Sequence, residues 1–166
     1  MNNYFKLLDI EQRYDIDLSH LDQQYFFMQS KYHPDKGKNQ AENNFNLATS
    51  IDLNKAYSTL KDDLTRAEYL LMLNNVSLDE PSARQSLPQV QLSTIWNELE
   101  LVENSEELST LTNLLDAKID EQKSLIASLT KAFKDNDINE ALKITTAFKY
   151  LKTLISNIKL KIKLCR

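Results

Sequence analysis

Apolar residues recur at three- and four-residue spacing along most of the chain, and breakers are scarce: one glycine and three prolines in 166 residues. That pattern predicts an all-α protein. A short apolar stretch, Asn3 to Leu8, leads through a polar connector to Asp17, which with Ser19 is a candidate cap for the next helix. Leu18, Leu21, Tyr25, Met28 and Tyr32 then form one stripe, and Tyr25, Phe26, Phe27 and Met28 read as core. A second long helix spans Gln40 to Lys61. Its stripe is Leu53, Ala56, Tyr57 and Leu60, preceded by Phe45 and Leu47. The small Ala56 suits close antiparallel packing of the two helices. Thr65 to Leu73 is too apolar to stay on a surface and should dock.

Asn74 to Pro88 holds the other two prolines, Pro81 and Pro88, and reads as a hinge. The expected organisation is one domain over 1–75, a linker over 76–88 and a three-helix bundle over 89–166. Its helices are expected near Ser86–Asn104, Glu106–Lys134 and Ile138–Leu164. The middle one carries Leu108, Leu111, Leu115, Ile119, Ile126, Leu129 and Phe133; the last carries Ile144, Phe148, Leu151, Ile155, Ile158 and Ile162. Asp137 and Glu140 read as a capping pair. The short break at Asp135–Asp137 favours an intramolecular hairpin over a coiled-coil dimer.

Between the first two long helices stands Lys31-Tyr32-His33-Pro34-Asp35-Lys36-Gly37. Pro34 cannot continue a helix and pushes His33 out of the α region, so the helix should end near Tyr32. Gly37 permits a positive φ. The product is an exposed loop offering an imidazole, a rigid ring and a carboxylate in fixed order. On its own such a tripeptide reads as a simple turn.

Net charge is −4, which argues against a general nucleic-acid binder. With one cysteine, Cys165, and two histidines, the chain has no intramolecular disulfide and no ordinary zinc or cysteine-ligated cluster site of its own, so no cofactor is expected. There is no apolar run of membrane-spanning length, no basic-then-apolar leader, and no nucleophile–base or glycine-rich phosphate pattern. A cytosolic, non-enzymatic protein is expected. Residues 79–116 are mostly acidic and 138–166 mostly basic, which suits helices that neutralise each other in one bundle.

Taken together, the short apolar start, the helix ending in Lys-Tyr-His-Pro-Asp-Lys, the helix carrying Leu-Asn-Lys-Ala-Tyr-Ser-Thr-Leu and the following Arg66-Ala67-Glu68-Tyr69 resemble a J-domain over Asn3 to Tyr69. The resemblance implies that His33, Pro34 and Asp35, with Lys31, Lys36 and Tyr25, dock on a DnaK-type chaperone and accelerate its ATP hydrolysis. One departure is plain. J-domains usually carry a basic face on the helix before the tripeptide, and here that helix holds only Lys31; Arg13, Lys55, Lys61 and Arg66 are left to contribute elsewhere.

The glycine/phenylalanine-rich and zinc regions of common DnaJ proteins are absent. The run Arg66 to Leu71 leading into a helical C-terminal part resembles the HscB family, the J-type co-chaperones of iron–sulfur cluster assembly, in its bacterial form. That implies two partners, the chaperone HscA and the scaffold IscU. The scaffold surface would comprise Ile95, Trp96, Leu99, Glu100, Glu103 and Glu107, with Tyr150 on the last helix. By helical spacing, Trp96, Glu100, Glu103 and Glu107 share a stripe. Read without the resemblance, Ile95, Leu99 and Trp96 are bundle core and the glutamates a solvated face. A J-type co-chaperone with another client, or a helical adaptor with an incidental His-Pro-Asp, are the alternatives.

Overall fold

The computed structural model describes residues 3–76, 78, 89–105 and 107–165. Among them are seven α-helices and no strand: α1 Tyr4–Leu7, α2 Leu18–Lys31, α3 Gln40–Lys61, α4 Asp63–Leu73, α5 Gln89–Asn104, α6 Leu108–Lys134 and α7 Ile138–Leu164, with one 3-10 turn at Pro34–Lys36. The chain forms two compact units, and the division falls between Leu70 and Leu71, inside α4. The expected linker 76–88 lies, apart from Val76 and Leu78, outside the described residues, as do both of its prolines.

In the first unit α2 and α3 pack as a hairpin and α1 lies on α3. Phe5, Leu8, Leu21, Leu53, Ala56, Leu60 and Ala67 are fully buried. Asp17 caps α2, accepting from the Ser19 hydroxyl and from the amides of His20 and Ser19, and these bonds hold its carboxyl below the usual range. The Arg66-Ala67-Glu68-Tyr69 motif is the clasp. Arg66, 4 % exposed, donates to the Leu60 carbonyl at the end of α3, pairs with Asp63 and lies 5.0 Å over the Tyr14 ring. Tyr69 stacks on Tyr4 at 4.4 Å, and its hydroxyl accepts the Tyr4 amide at 2.9 Å, which ties α4 to the start of α1. Arg66 is therefore a buried, paired cation and not one left to contribute to docking elsewhere.

Three further expectations change. Phe26 and Phe27 are 66 % and 64 % exposed rather than core. Four consecutive apolar residues span 300° of helix, so Tyr25 and Met28 can turn inward only if their neighbours do not. Phe45 and Leu47 likewise face solvent, because α2 meets α3 along Ser50, Leu53, Asn54 and Tyr57 instead. Leu18 and Leu108 are also exposed.

The second unit is built on the antiparallel α6–α7 hairpin, so the heptad-like seam closes within the chain. Leu111, Leu129, Ala141, Phe148, Leu151, Leu154, Ile155 and Ile158 are buried, and α5 packs onto α7. The turn is made by Asn136 at φ 55°. Its amide donates to Phe133 O, and the Asp137 amide to Ala132 O, while the Asp137 side chain caps α7 through the Glu140 amide at 3.0 Å. The same left-handed cap ends α1 at Asp9 and α4 at Asn75. Val76 after the last of these packs, with Leu71, on the cluster around Ala132 and Ala141.

Candidate partner-binding sites

The tripeptide loop is rigidified from several sides. The amide of Tyr32, the C-cap of α2, donates to Met28 O, and His33 is extended at φ −65°, ψ 132°, as a residue before proline must be. Pro34 then starts the 3-10 turn, where its missing N–H costs nothing. Lys36 N–H donates to His33 O at 3.0 Å and the Asn46 side chain to the same carbonyl at 3.3 Å. Asn39 caps α3 through the Glu42 amide, and the Glu42 carboxylate accepts the Lys38 amide at 2.7 Å.

Gly37 does not use the positive φ available to it: its φ is −70°. Glycine is required because a β-carbon there would meet the Asn43 side chain and lie 2.7 Å from the Asn43 amide nitrogen.

Inside this frame the Asp35 amide donates to His33 Nδ1 at 3.3 Å. With Nδ1 accepting, the neutral imidazole carries its proton on Nε2, where it can donate to a partner. The Asp35 carboxylate is 88 % exposed, with His33 Nδ1 3.6 Å away. The loop thus presents a carboxylate held in place but not consumed. Lys31 and Lys36 are exposed beside it, and Lys36 Nζ reaches Ser30 Oγ at 3.4 Å. Tyr25 is half-buried, stacked on Tyr57 at 4.0 Å with its hydroxyl donating to Asn54. Lys61 is engaged nearby: it bonds the Tyr57 hydroxyl and pairs with Asp22, and these two contacts, Tyr57 foremost, raise its pKa.

The second set of residues lies on α5. Trp96 is 69 % exposed, so it is not bundle core. Glu100 and Glu103 are exposed and form no ion pair among the described residues. Leu99 is partly buried against Val102, Leu111, Leu154 and Ile158, and Ile95 is half-buried close to half-buried Tyr150. The carboxylates stand on a backed helix: Lys161 of α7 donates to the Glu103 carbonyl at 2.8 Å, binding the basic helix to the acidic one through the backbone.

Glu107 does not continue this stripe. α5 ends at Asn104, and Glu107 is the N-cap of α6, its carboxylate accepting from Ser109 and Thr110 hydroxyls at 2.6 and 2.7 Å, which lower its pKa. The expected helical register through residue 107 fails because the helix breaks first.

Against known proteins, residues 3–69 match the DnaJ domain model, and residues 95–159 match the model described as the HSCB C-terminal oligomerisation domain. A co-chaperone protein HscB homolog of Neisseria meningitidis is 31 % identical over 162 residues, which cover 95 % of this chain and 98 % of that one. The chain belongs to the HscB co-chaperone family. The human iron–sulfur cluster co-chaperone protein HscB is 29 % identical, with 96 % of this chain and 68 % of the human one covered. The crystal structure of human HscB superposes with a TM-score of 0.89 at 28 % identity, over 97 % of this chain and 82 % of that one.

Two features of this HscB-family chain escaped the sequence reading. One is the exposed Phe26–Phe27 pair on α2. The other is Lys118 of α6, 9 % exposed, which pairs with Glu98 of α5 and with Glu121 at 2.8 Å. Burial alone would lower its pKa, but the hydrogen bonds to Glu121 and Glu98 prevail and raise it. The local pattern offers Glu121 three residues on, but not Glu98, which is 20 residues away on another helix. No described helix is long and apolar enough to cross a membrane.

Proposed function

We propose that this HscB-family protein is a bacterial cytoplasmic co-chaperone of iron–sulfur cluster assembly. His33, Pro34 and Asp35, flanked by Lys31, Lys36 and Tyr25, engage a DnaK-type chaperone (HscA) and stimulate its ATPase. Ile95, Trp96, Leu99, Glu100 and Glu103, with Tyr150 and the adjoining Glu107, bind the scaffold IscU and bring it to that chaperone.

The observation that carries this reading is the loop: Asp35 is 88 % exposed in a frame of backbone hydrogen bonds, so little ordering remains to be done on docking. A carboxylate so placed suits an arginine on the partner, and the chaperone supplies the nucleotide chemistry. On α5, a solvent-facing tryptophan beside unpaired carboxylates suits a partner with apolar and basic surface.

The test is the steady-state ATPase of the HscA-type chaperone with this protein and the scaffold, singly and together. The expected result is synergy that Asp35→Asn abolishes and that Trp96→Ala with Glu100→Ala weakens. Stimulation that the scaffold never enhances would keep the chaperone partnership and sink the iron–sulfur one.

A further inference from the structure

The seam along which α3 meets α2 does not end where α2 ends. Ser50, Asn54 and Tyr57 bond side chains of α2, and by helical spacing the same stripe continues toward the start of α3 through Asn46, Asn43 and the cap Asn39. α2 stops at Lys31, so this end of the seam meets the tripeptide loop instead. A turn offers backbone groups and few apolar side chains, which suits an amide where an apolar residue would otherwise continue the stripe.

Asn43 packs on Gly37, and half-buried Asn46 donates from Nδ2 to the His33 carbonyl at 3.3 Å. Among the described residues this is the one hydrogen bond from α3 to the tripeptide. The bonds within the turn, Lys36 N–H to His33 O and Gly37 N–H to Pro34 O, shape it without fixing it to a helix, and Pro34 has no N–H to add another. Alanine is the better helix former at position 46, so what asparagine contributes there comes from its side-chain bond.

We propose that Asn46 is a positioning residue for the docking loop. Acting through the His33 carbonyl, it holds the turn on α3, so that the His33 imidazole and the Asp35 carboxylate meet the chaperone already in place. The inference rests on the chaperone reading above and adds to it a residue outside the tripeptide. Without the bond the turn moves more freely, and docking has to order it again. The loss therefore falls on affinity and not on the rate reached at saturation.

The full chain is titrated into the HscA-type chaperone as wild type, Asn46→Ala and Asn46→Asp, and the steady-state ATPase is read. The half-maximal concentration is expected to rise about threefold or more for Asn46→Ala, roughly the worth of one neutral hydrogen bond, at an unchanged maximal rate. Asn46→Asp, which sets an oxygen against the carbonyl, should lose more. The melting temperature of Asn46→Ala should equal or exceed that of wild type. Backbone amide relaxation by NMR should show Asp35 less ordered in Asn46→Ala, with the amides of α2 and α3 unchanged.

Half-maximal concentrations within about twofold of wild type for both variants would overturn the positioning role and leave the chaperone reading intact. A lowered melting temperature with an unchanged Asp35 order parameter would overturn it too, since a residue that only supports the fold behaves in that way. If the wild-type chain stimulates no DnaK-type chaperone, the chaperone reading falls and the role of Asn46 with it.

Discussion

Gly37 and Asn43 are in such close register that a β-carbon on the glycine would lie 2.7 Å from the Asn43 amide nitrogen, in the first turn of α3. The loop and the helix cannot both keep their places with any larger residue at 37. Gly37→Ala is expected to destabilise the first unit by about 1–3 kcal/mol, the usual cost of overpacking. Faster hydrogen exchange at the Lys36 and Gly37 amides, whose acceptors are His33 O and Pro34 O, would locate the damage in the loop. Unchanged exchange would mean that α3 absorbs the shift.

Among the described residues three helices end on a left-handed residue, and none of the three is glycine: Asp9, Asn75 and Asn136. Asn and Asp tolerate this region better than other side chains, yet glycine is preferred there. Asn136→Gly is expected to raise stability by about 0.5 kcal/mol, with Asn75→Gly similar, read as an increased midpoint in urea at unchanged slope. A lowered midpoint would mean that the extra unfolded-state freedom of glycine outweighs the relieved strain.

Tyr69→Phe removes the acceptor of the Tyr4 amide and keeps the stacked ring. A loss of about 1 kcal/mol is expected, the net value of one hydrogen bond, increased if the amide then finds no water. A thermal melt checks it. A much larger loss would mean that the hydroxyl also positions the ring.

Lys118→Met leaves Glu98 and Glu121 without their cation. Because Glu121 is half exposed, a loss of about 1–3 kcal/mol is expected, below that of a fully buried broken pair. The pH dependence has a definite sign. The Lys118 pKa is raised above its ordinary 10.5 on folding, so its contribution is complete below about 10.5 and disappears as pH rises through the raised value. Melting temperatures of the variant should therefore fall less steeply than wild type above pH 10.5. Parallel curves would remove Lys118 from the alkaline transition.

The outward side of α2 offers Phe26 and Phe27, and Lys31 is the helix's only Lys or Arg; the proposed docking on a chaperone would then rest on apolar burial. Docking that depends on apolar burial responds weakly to salt. Raising salt from about 50 to 300 mM is expected to shift the concentration for half-maximal ATPase stimulation by less than about threefold, whereas Phe27→Ser should raise it by tenfold or more. A steep salt dependence with an active Phe27→Ser would place the attraction in Lys31, Lys36 and Lys38.

What local chemistry controls was legible in the residues. α3 occupies Gln40–Lys61 and α7 Ile138–Leu164 as the pattern predicts, because proline, Asp and Asn caps, and 3.6-residue periodicity act within a few residues. The exposed His33-Pro34-Asp35 loop followed from Pro34 for the same reason. Glu107 was misplaced because one helix end, beyond Asn104, moves a residue off its stripe however regular the spacing.

The sequence by itself determined the all-α class, the bounds of α3 and α7 and the residues that cap them, since these rest on backbone sterics and hydrogen bonds between near neighbours. Only the tertiary structure decided which apolar residues are buried. Phe26 and Phe45 have the hydropathy of core residues but stay exposed, whereas Ala56 is fully buried. It also decided that Arg66 and Lys118, two ordinary cations in the sequence, are buried and paired. Burial and pairing depend on what the rest of the chain brings to a side chain. For Lys118 that is a carboxylate 20 residues away, on a different helix.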